Sequence, residues 1–211
     1  MNLTLILASA SPRRRELLAQ AGYRFEVQAS SVDESRRSGE EAICLAIRLA
    51  REKAQQVAQQ VLAQRPSSAQ PTLVLGADTV VVCDGEILGK PVDAADAARM
   101  LLLLSGRTHS VVTGVAVVGD QQIVELAAEV SQVTVRTLSA QEIAEYVAGG
   151  EPMDKAGAYA IQGYAARWIP RISGCYFNVV GLPLALVASL LEGVELRLAS
   201  QTIPAKSLSL G

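Results

Sequence analysis

Residues 73–83 read Leu-Val-Leu-Gly-Ala-Asp-Thr-Val-Val-Val-Cys, an aliphatic run interrupted only by Asp78 and Thr79. Aliphatic residues in such succession suit strands covered on both faces, as in a sheet with helices above and below it. A carboxylate inside such a run costs free energy unless it is paired, hydrogen-bonded or bound to a metal. The run therefore predicts two short strands, 73–77 and 80–83, parted by Asp78-Thr79. It also makes Asp78 a candidate metal ligand or a base acting on water, the alternative being a structural aspartate that caps a turn.

The rest of the chain alternates in the same manner. Residues 3–8 form a continuous apolar strand, and Ser11-Pro12 then signals a helix start that runs to Gly22. A strand at 24–29, a polar turn with Asp33 and Glu34, and a helix over 40–63 follow. That helix carries a stripe at Ile43, Ile47, Ala50, Ala54 and Val57. Asp84-Gly85 predicts a hairpin into Ile87-Leu88. Helices are expected at 93–104, 140–147 and 182–191, strands at 108–118, 123–137 and 168–172, loops at 65–71 and 119–122, and a loosely held tail from Thr202. Alternation early and two adjacent long strands in the middle favour an α/β fold with a mixed sheet, within one domain spanning residues 1–211.

Composition narrows the partners. The net charge of −2 over 211 residues argues against a nucleic-acid polymer as ligand, so phosphate binding must rest on a local cluster. Cys44, Cys83 and Cys175 form no CxxC pair and read as buried, reduced thiols, consistent with a cytoplasmic protein. The apolar start lacks a basic flank, and no apolar run is long enough to span a bilayer.

Arg13, Arg14 and Arg15 open the first predicted helix, where the positive end of the helix dipole makes cations unfavourable unless an anion offsets them. Strand, Ser9-x-Ser11 loop and helix start together compose a phosphate site; a solvated basic face is the other reading. Only four lysines occur, Lys53, Lys90, Lys155 and Lys206. Lys53 falls at helical spacing with Ala46, Ala50 and Val57, beside the apolar stripe, either snorkelling or serving a site. Lys90, between Gly89 and Pro91, is a point charge for a phosphate or part of a surface turn. His109, the only histidine, has no partner pattern for zinc or a triad and reads as a hydrogen-bonded structural residue. Gln162, at the end of the small-residue segment 154–163, offers donor and acceptor to the edge of a base, unless the segment is only a packed loop.

Taken in order, Ser9-x-Ser-Pro-Arg-Arg14, Leu49-Ala-Arg-Glu-Lys-Ala54, Gly76-Ala-Asp-Thr79, Gly89-Lys-Pro91, Ser105-Gly-x-Thr-His109, residues 154–163 and Val180-Gly-Leu-Pro183 resemble the Maf family of nucleotide pyrophosphatases over nearly the whole chain. The resemblance implies an elongated mixed α/β sheet flanked by helices in two lobes with a central cleft. It also implies hydrolysis of a nucleoside triphosphate to monophosphate and diphosphate. By the same resemblance Ser9, Arg13, Arg14, Lys53 and Lys90 match phosphate-binding positions, and Asp78 the proton acceptor. Arg13, Thr79 and Gln162 fall where the family sets substrate choice. The ending Tyr159-Ala-Ile-Gln-Gly163 is similar to the subgroup acting on dTTP and UTP, including modified pyrimidine nucleotides, although Ala160 stands where Gly is frequent. Mg²⁺ or Mn²⁺ on Asp78, and on Glu34 in the variable acidic turn, would follow, as would a homodimer. The rival readings are a nucleotide-binding regulator of cell division that needs no catalysis, and a phosphatase that releases single orthophosphates.

Overall fold

The computed structural model describes residues 3–64, 70–119 and 124–201. Most of the expected 65–71 loop and 119–122 turn, and the tail from Thr202, lie outside them. Among the described residues seven strands form one mixed sheet: β1 (Thr4–Leu7), β2 (Glu26–Val27), β3 (Thr72–Cys83), β4 (Glu86–Leu88), β5 (Thr108–Gly119), β6 (Val124–Thr134) and β7 (Arg171–Ser173). Their order is β2-β1-β3-β5-β6-β7, with β4 paired to β3. β1 runs parallel to β2 and β3, whereas β3, β5, β6 and β7 are antiparallel in succession.

The helices are α1 (Pro12–Gln20), α2 (Ala42–Leu62), α3 (Ala94–Leu104), α4 (Ala140–Ala148), α5 (Tyr176–Val180) and α6 (Leu184–Gln201). Among the described residues α2 alone covers one face of the sheet, its Ala46, Ala50, Ala54 and Val57 fully buried against β1, β3 and β5. It can lie close because glycines floor that face: a Cβ on Gly76 would stand 2.1 Å from Ala50 O, and one on Gly114 2.3 Å from the Ala46 backbone. The opposite face bears the larger core, where Leu17 and Leu18 of α1 meet the other helices.

Several expectations are corrected. β3 does not break at Asp78-Thr79 but continues for 12 residues. Its odd positions join the large core and its even positions face α2, so Asp78 extends the even series after Val74 and Gly76. Asp78 is tolerated there because it stands opposite Gly114, which leaves space, and receives Lys53. β2 shrinks to two residues. β7 starts only at Arg171, because Trp168 ends a short 3₁₀ turn (Tyr164–Trp168) that sinks its ring into the core and Pro170 has no N–H to give a ladder. α5 is a separate short helix that ends at Gly181, before α6. α6 passes Gly193 and ends ten residues beyond the expected Leu191, since Val194, fully buried, still packs on the core. Of the expected α2 stripe, Ala50, Ala54 and Val57 are fully buried and Ile47 partly, whereas Ile43 is exposed and the first turns bury Leu45, Ala46 and Leu49. Of the cysteines, all free, only Cys83 is buried; Cys44 is exposed and Cys175 partly so.

Candidate active site

From β1 the chain passes through α1 on one face to β2, and from β2 through α2 on the other face to β3, on the far side of β1. The carboxyl end of such a strand is where open α/β sheets form a binding crevice. β1 pairs with β3 only as far as Leu75, and β4 meets β3 only from Val81, so the intervening edge of β3 is open to that crevice. A cleft of about 570 Å³ occupies the gap. Ser9, Arg13, Arg14, Glu34, Lys53, Asp78, Thr79, Lys90 and Gln162, the residues singled out from the sequence, all line it.

On the α2 side, Lys53 Nζ donates to Asp78 Oδ1 at 2.6 Å and stands 2.5 Å from Glu34 Oε1, with its residue only 7% exposed. Burial acts to raise the Glu34 pKa, but the hydrogen bond and charge of Lys53, with Lys90 and Arg14 beyond, hold it below the usual carboxylate value. Lys90 itself is 3.9 Å from Glu34 and largely exposed. Two carboxylates thus converge on the Lys53 ammonium, which engages one oxygen of each. Hard oxygen donors of this kind suit Mg²⁺ or Mn²⁺ once phosphate oxygens and water complete the sphere. Among the described residues no group of three or more His, Cys, Asp or Glu side chains gathers to hold a metal unaided.

On the α1 side, the hydroxyls are already engaged. Ser11 Oγ caps the helix by accepting from Arg14 N at 3.4 Å, and Ser9 Oγ accepts from Ser11 N at 3.2 Å. No acidic residue occupies the first turn of α1, so its positive end is not neutralised locally. The arginines divide their tasks. Arg14 is locked to the protein: Nε donates to Gly181 O, one terminal nitrogen to Ala77 O and Ser9 Oγ, and the other to Thr79 Oγ1, at 2.8 to 3.4 Å. Withdrawal from water lowers its pKa, with Asp78 and Glu34 opposing that shift. Arg13 instead reaches Asp154 across the cleft at 3.2 Å. Arg15 is exposed and does not line the cleft.

Thr79 faces the opposite side of β3 from Asp78, where its hydroxyl shares a 2.9 Å hydrogen bond with Thr113 Oγ1. Thr113 donates onward to Asn178 O at 3.2 Å. Gln162 is exposed at the far rim and makes no hydrogen bond to the protein among the described residues. His109 is buried and, as expected, hydrogen-bonded, its Nε2 sharing a 2.8 Å hydrogen bond with the Tyr159 hydroxyl.

Sequence reasoning missed Asp154, Arg36 and the buried polar chain through Thr113 and Asn178. Asn178 had a signal, an amide set in an apolar segment, and it is fully buried with Nδ2 on Val111 O and Ser131 Oγ. Lys155, noted only for its rarity, turns to Glu151 O and Asp154 Oδ1, both at 2.5 Å.

A family model described as Maf-like protein matches residues 4–194. A dTTP/UTP pyrophosphatase of Salmonella typhimurium is 53% identical over 189 residues, covering 90% of this chain and 92% of its own. A dTTP/UTP pyrophosphatase of Koribacter versatilis is 52% identical over 188 residues, covering 89% and 92%. A solved nucleoside-triphosphatase (dITP/XTP pyrophosphatase) of Mycobacterium abscessus covers 95% of this chain and 98% of its own, at 14% identity and a TM-score of 0.40, a likeness too distant to bear weight.

Proposed function

Because this chain belongs to the Maf family, we propose that it hydrolyses nucleoside triphosphates, dTTP and UTP foremost, to nucleoside monophosphate and diphosphate. The observation that carries the reading is the Lys53–Asp78 pair, set at the open edge of β3 and facing a cleft whose other wall is the positive end of α1. A regulator that only bound nucleotide would need the cations but not a carboxylate kept inside a sheet at a free-energy cost. Relatives about half identical over nine-tenths of the chain, and named as pyrophosphatases, favour hydrolysis independently.

In this mechanism the triphosphate lies from α1 toward Lys90, and the base reaches Gln162. Asp78 Oδ1 is held by Lys53, which leaves Oδ2 to take the proton of a water aimed at the α-phosphorus. Lys53, Arg13 and Lys90 stabilise charge that develops on the departing diphosphate, while Arg14, already bonded to β3 and to Gly181 just after α5, fixes the α1 end of the cradle. Glu34 and Asp78 would hold Mg²⁺ or Mn²⁺ together with the triphosphate, and the ion would supply Lewis-acid polarisation of the phosphoryl oxygens. Held by Glu34 and Asp78 alone, that ion would be bound tightly only when nucleotide is bound too. The homodimer belongs to the same proposal and is read by light scattering.

The test is a panel of common and modified nucleoside triphosphates with Mg²⁺, with diphosphate and orthophosphate assayed separately. Diphosphate from dTTP and UTP is the expected product. Orthophosphate alone would indicate the stepwise phosphatase, and absence of turnover the regulator.

A further inference from the structure

Gln162 sits at the tip of a turn, residues 160–164, whose ends are held by Glu151, directly at Tyr164 and by way of the Tyr146 hydroxyl at Ala160. Tyr146 of α4 donates its hydroxyl to Glu151 Oε1 at 2.9 Å and accepts the Ala160 amide at 3.3 Å. Glu151 Oε2 accepts the Tyr164 amide at 3.3 Å. The turn is pressed against that carboxylate, since a Cβ on Gly163 would fall 1.9 Å from Glu151 Oε1. Tyr146 is itself immobilised, 5% exposed and edge-on to Trp168 with ring centroids 4.8 Å apart. The residue just before the turn, Tyr159, is anchored separately on His109. In the midst of these fixed groups the Gln162 side chain is uncommitted.

We propose that Tyr146 and Glu151 are positioning residues that set base selection by fixing where Gln162 stands. The proposal rests on the reading of the cleft as a nucleoside triphosphate site. A glutamine amide that can turn over offers either polarity to a base, so by itself it discriminates little. What is fixed is the separation between the phosphate cradle at α1 and the clamped turn. A purine carries its hydrogen-bonding edge farther from the sugar than a pyrimidine does. A rigid separation therefore sorts single from double rings, whereas a slack turn admits both. Neither residue touches the reacting phosphorus in this arrangement, so its effect belongs in KM and in the ratio between bases rather than in the chemical step.

The experiment uses the full chain with Tyr146→Phe, which keeps the ring packing and deletes the hydroxyl, and Glu151→Gln, which keeps the size and converts one acceptor to a donor. kcat and KM are measured for UTP, dTTP, ATP and GTP, with Tm in parallel. The expected result is a KM for UTP and dTTP raised about fivefold, kcat within about twofold, and a pyrimidine-over-purine preference narrowed by a similar factor. A purely structural role would lower Tm and leave that preference as it was, and an unchanged preference in both variants overturns the proposal. Should one variant not fold, the preference of the other decides alone. Wild-type protein inactive on all four nucleotides would instead overturn the reading of the cleft, and the clamp's role with it.

Discussion

The Lys53 ammonium stands 2.6 Å from Asp78 Oδ1, and this contact joins the middle of α2 to the middle of β3 across the face of the sheet. It accounts for two things at once: how a carboxylate persists within a buried strand, and how one of its oxygens stays oriented toward the cleft. Removal of the carboxylate charge separates its chemical role from its structural one. Asp78→Asn keeps the shape and an acceptor for Lys53, so nucleotide should bind within a few-fold of wild type while kcat falls by about a hundredfold or more. Equilibrium binding and steady-state rates check this, and a rate within about threefold of wild type removes Asp78 from its assigned role.

Lys53→Met strands Asp78, because Glu34 is exposed and can return to water but Asp78 cannot. Breaking a buried pair from one side costs about 3 kcal/mol, which a urea titration would register. The double variant Lys53→Met with Asp78→Leu should recover most of that stability and none of the activity. Recovery of both would mean that the pair is structural only.

Gly76→Ala tests whether the close approach of α2 matters to the site. The new methyl meets the Ala50 carbonyl, which belongs to backbone and cannot turn aside. A loss of about 2 kcal/mol or more is expected, together with reduced kcat as Lys53 is carried away from Asp78. An active, undestabilised Gly76→Ala protein would show that α2 has slack which the geometry does not suggest.

Acid should expose the buried histidine. Burial lowers the His109 pKa from 6.5 to about 4, so the unfolded chain takes up the proton first as pH falls. The stability gained by keeping His109 neutral is complete above about pH 6.5 and is lost progressively toward pH 4, amounting to at most about 3 kcal/mol. Tm measured across that window should fall more steeply for wild type than for His109→Gln. Parallel curves would place the acid sensitivity elsewhere.

How much of this was legible depends on the range of the interactions. The helix start at Ser11-Pro12, the hairpin at Asp84-Gly85 and the alternation that gives a mixed sheet are local signals, and they survive in the structure. The oddity of Asp78 was visible for the same reason, as one charge in an aliphatic run. Its context was misread as a strand break because the two groups that make it tolerable, Lys53 and Gly114, lie 25 and 36 residues away in sequence. The extent of Arg14's commitments was hidden likewise, since Ala77, Thr79 and Gly181 reach it only through the fold. Gln162 was legible as an amide suited to the edge of a base or as part of a packed loop, and the family resemblance favoured the first. The clamp behind it, Tyr146 with Glu151, left no trace in spacing because both residues look like ordinary members of a helix end. The length of α6 was misjudged for a simpler reason: Gly193 resembles a stop, but burial of Val194 outweighs its helix propensity.

Hydrolysis of dTTP in water enriched in oxygen-18 tests the central claim most directly, because the label marks the phosphorus that water attacks. With Asp78 directing water to the α-phosphorus, the heavy oxygen should appear in the monophosphate and the diphosphate should leave unlabelled. Label in the diphosphate, or in released orthophosphate, would contradict the account.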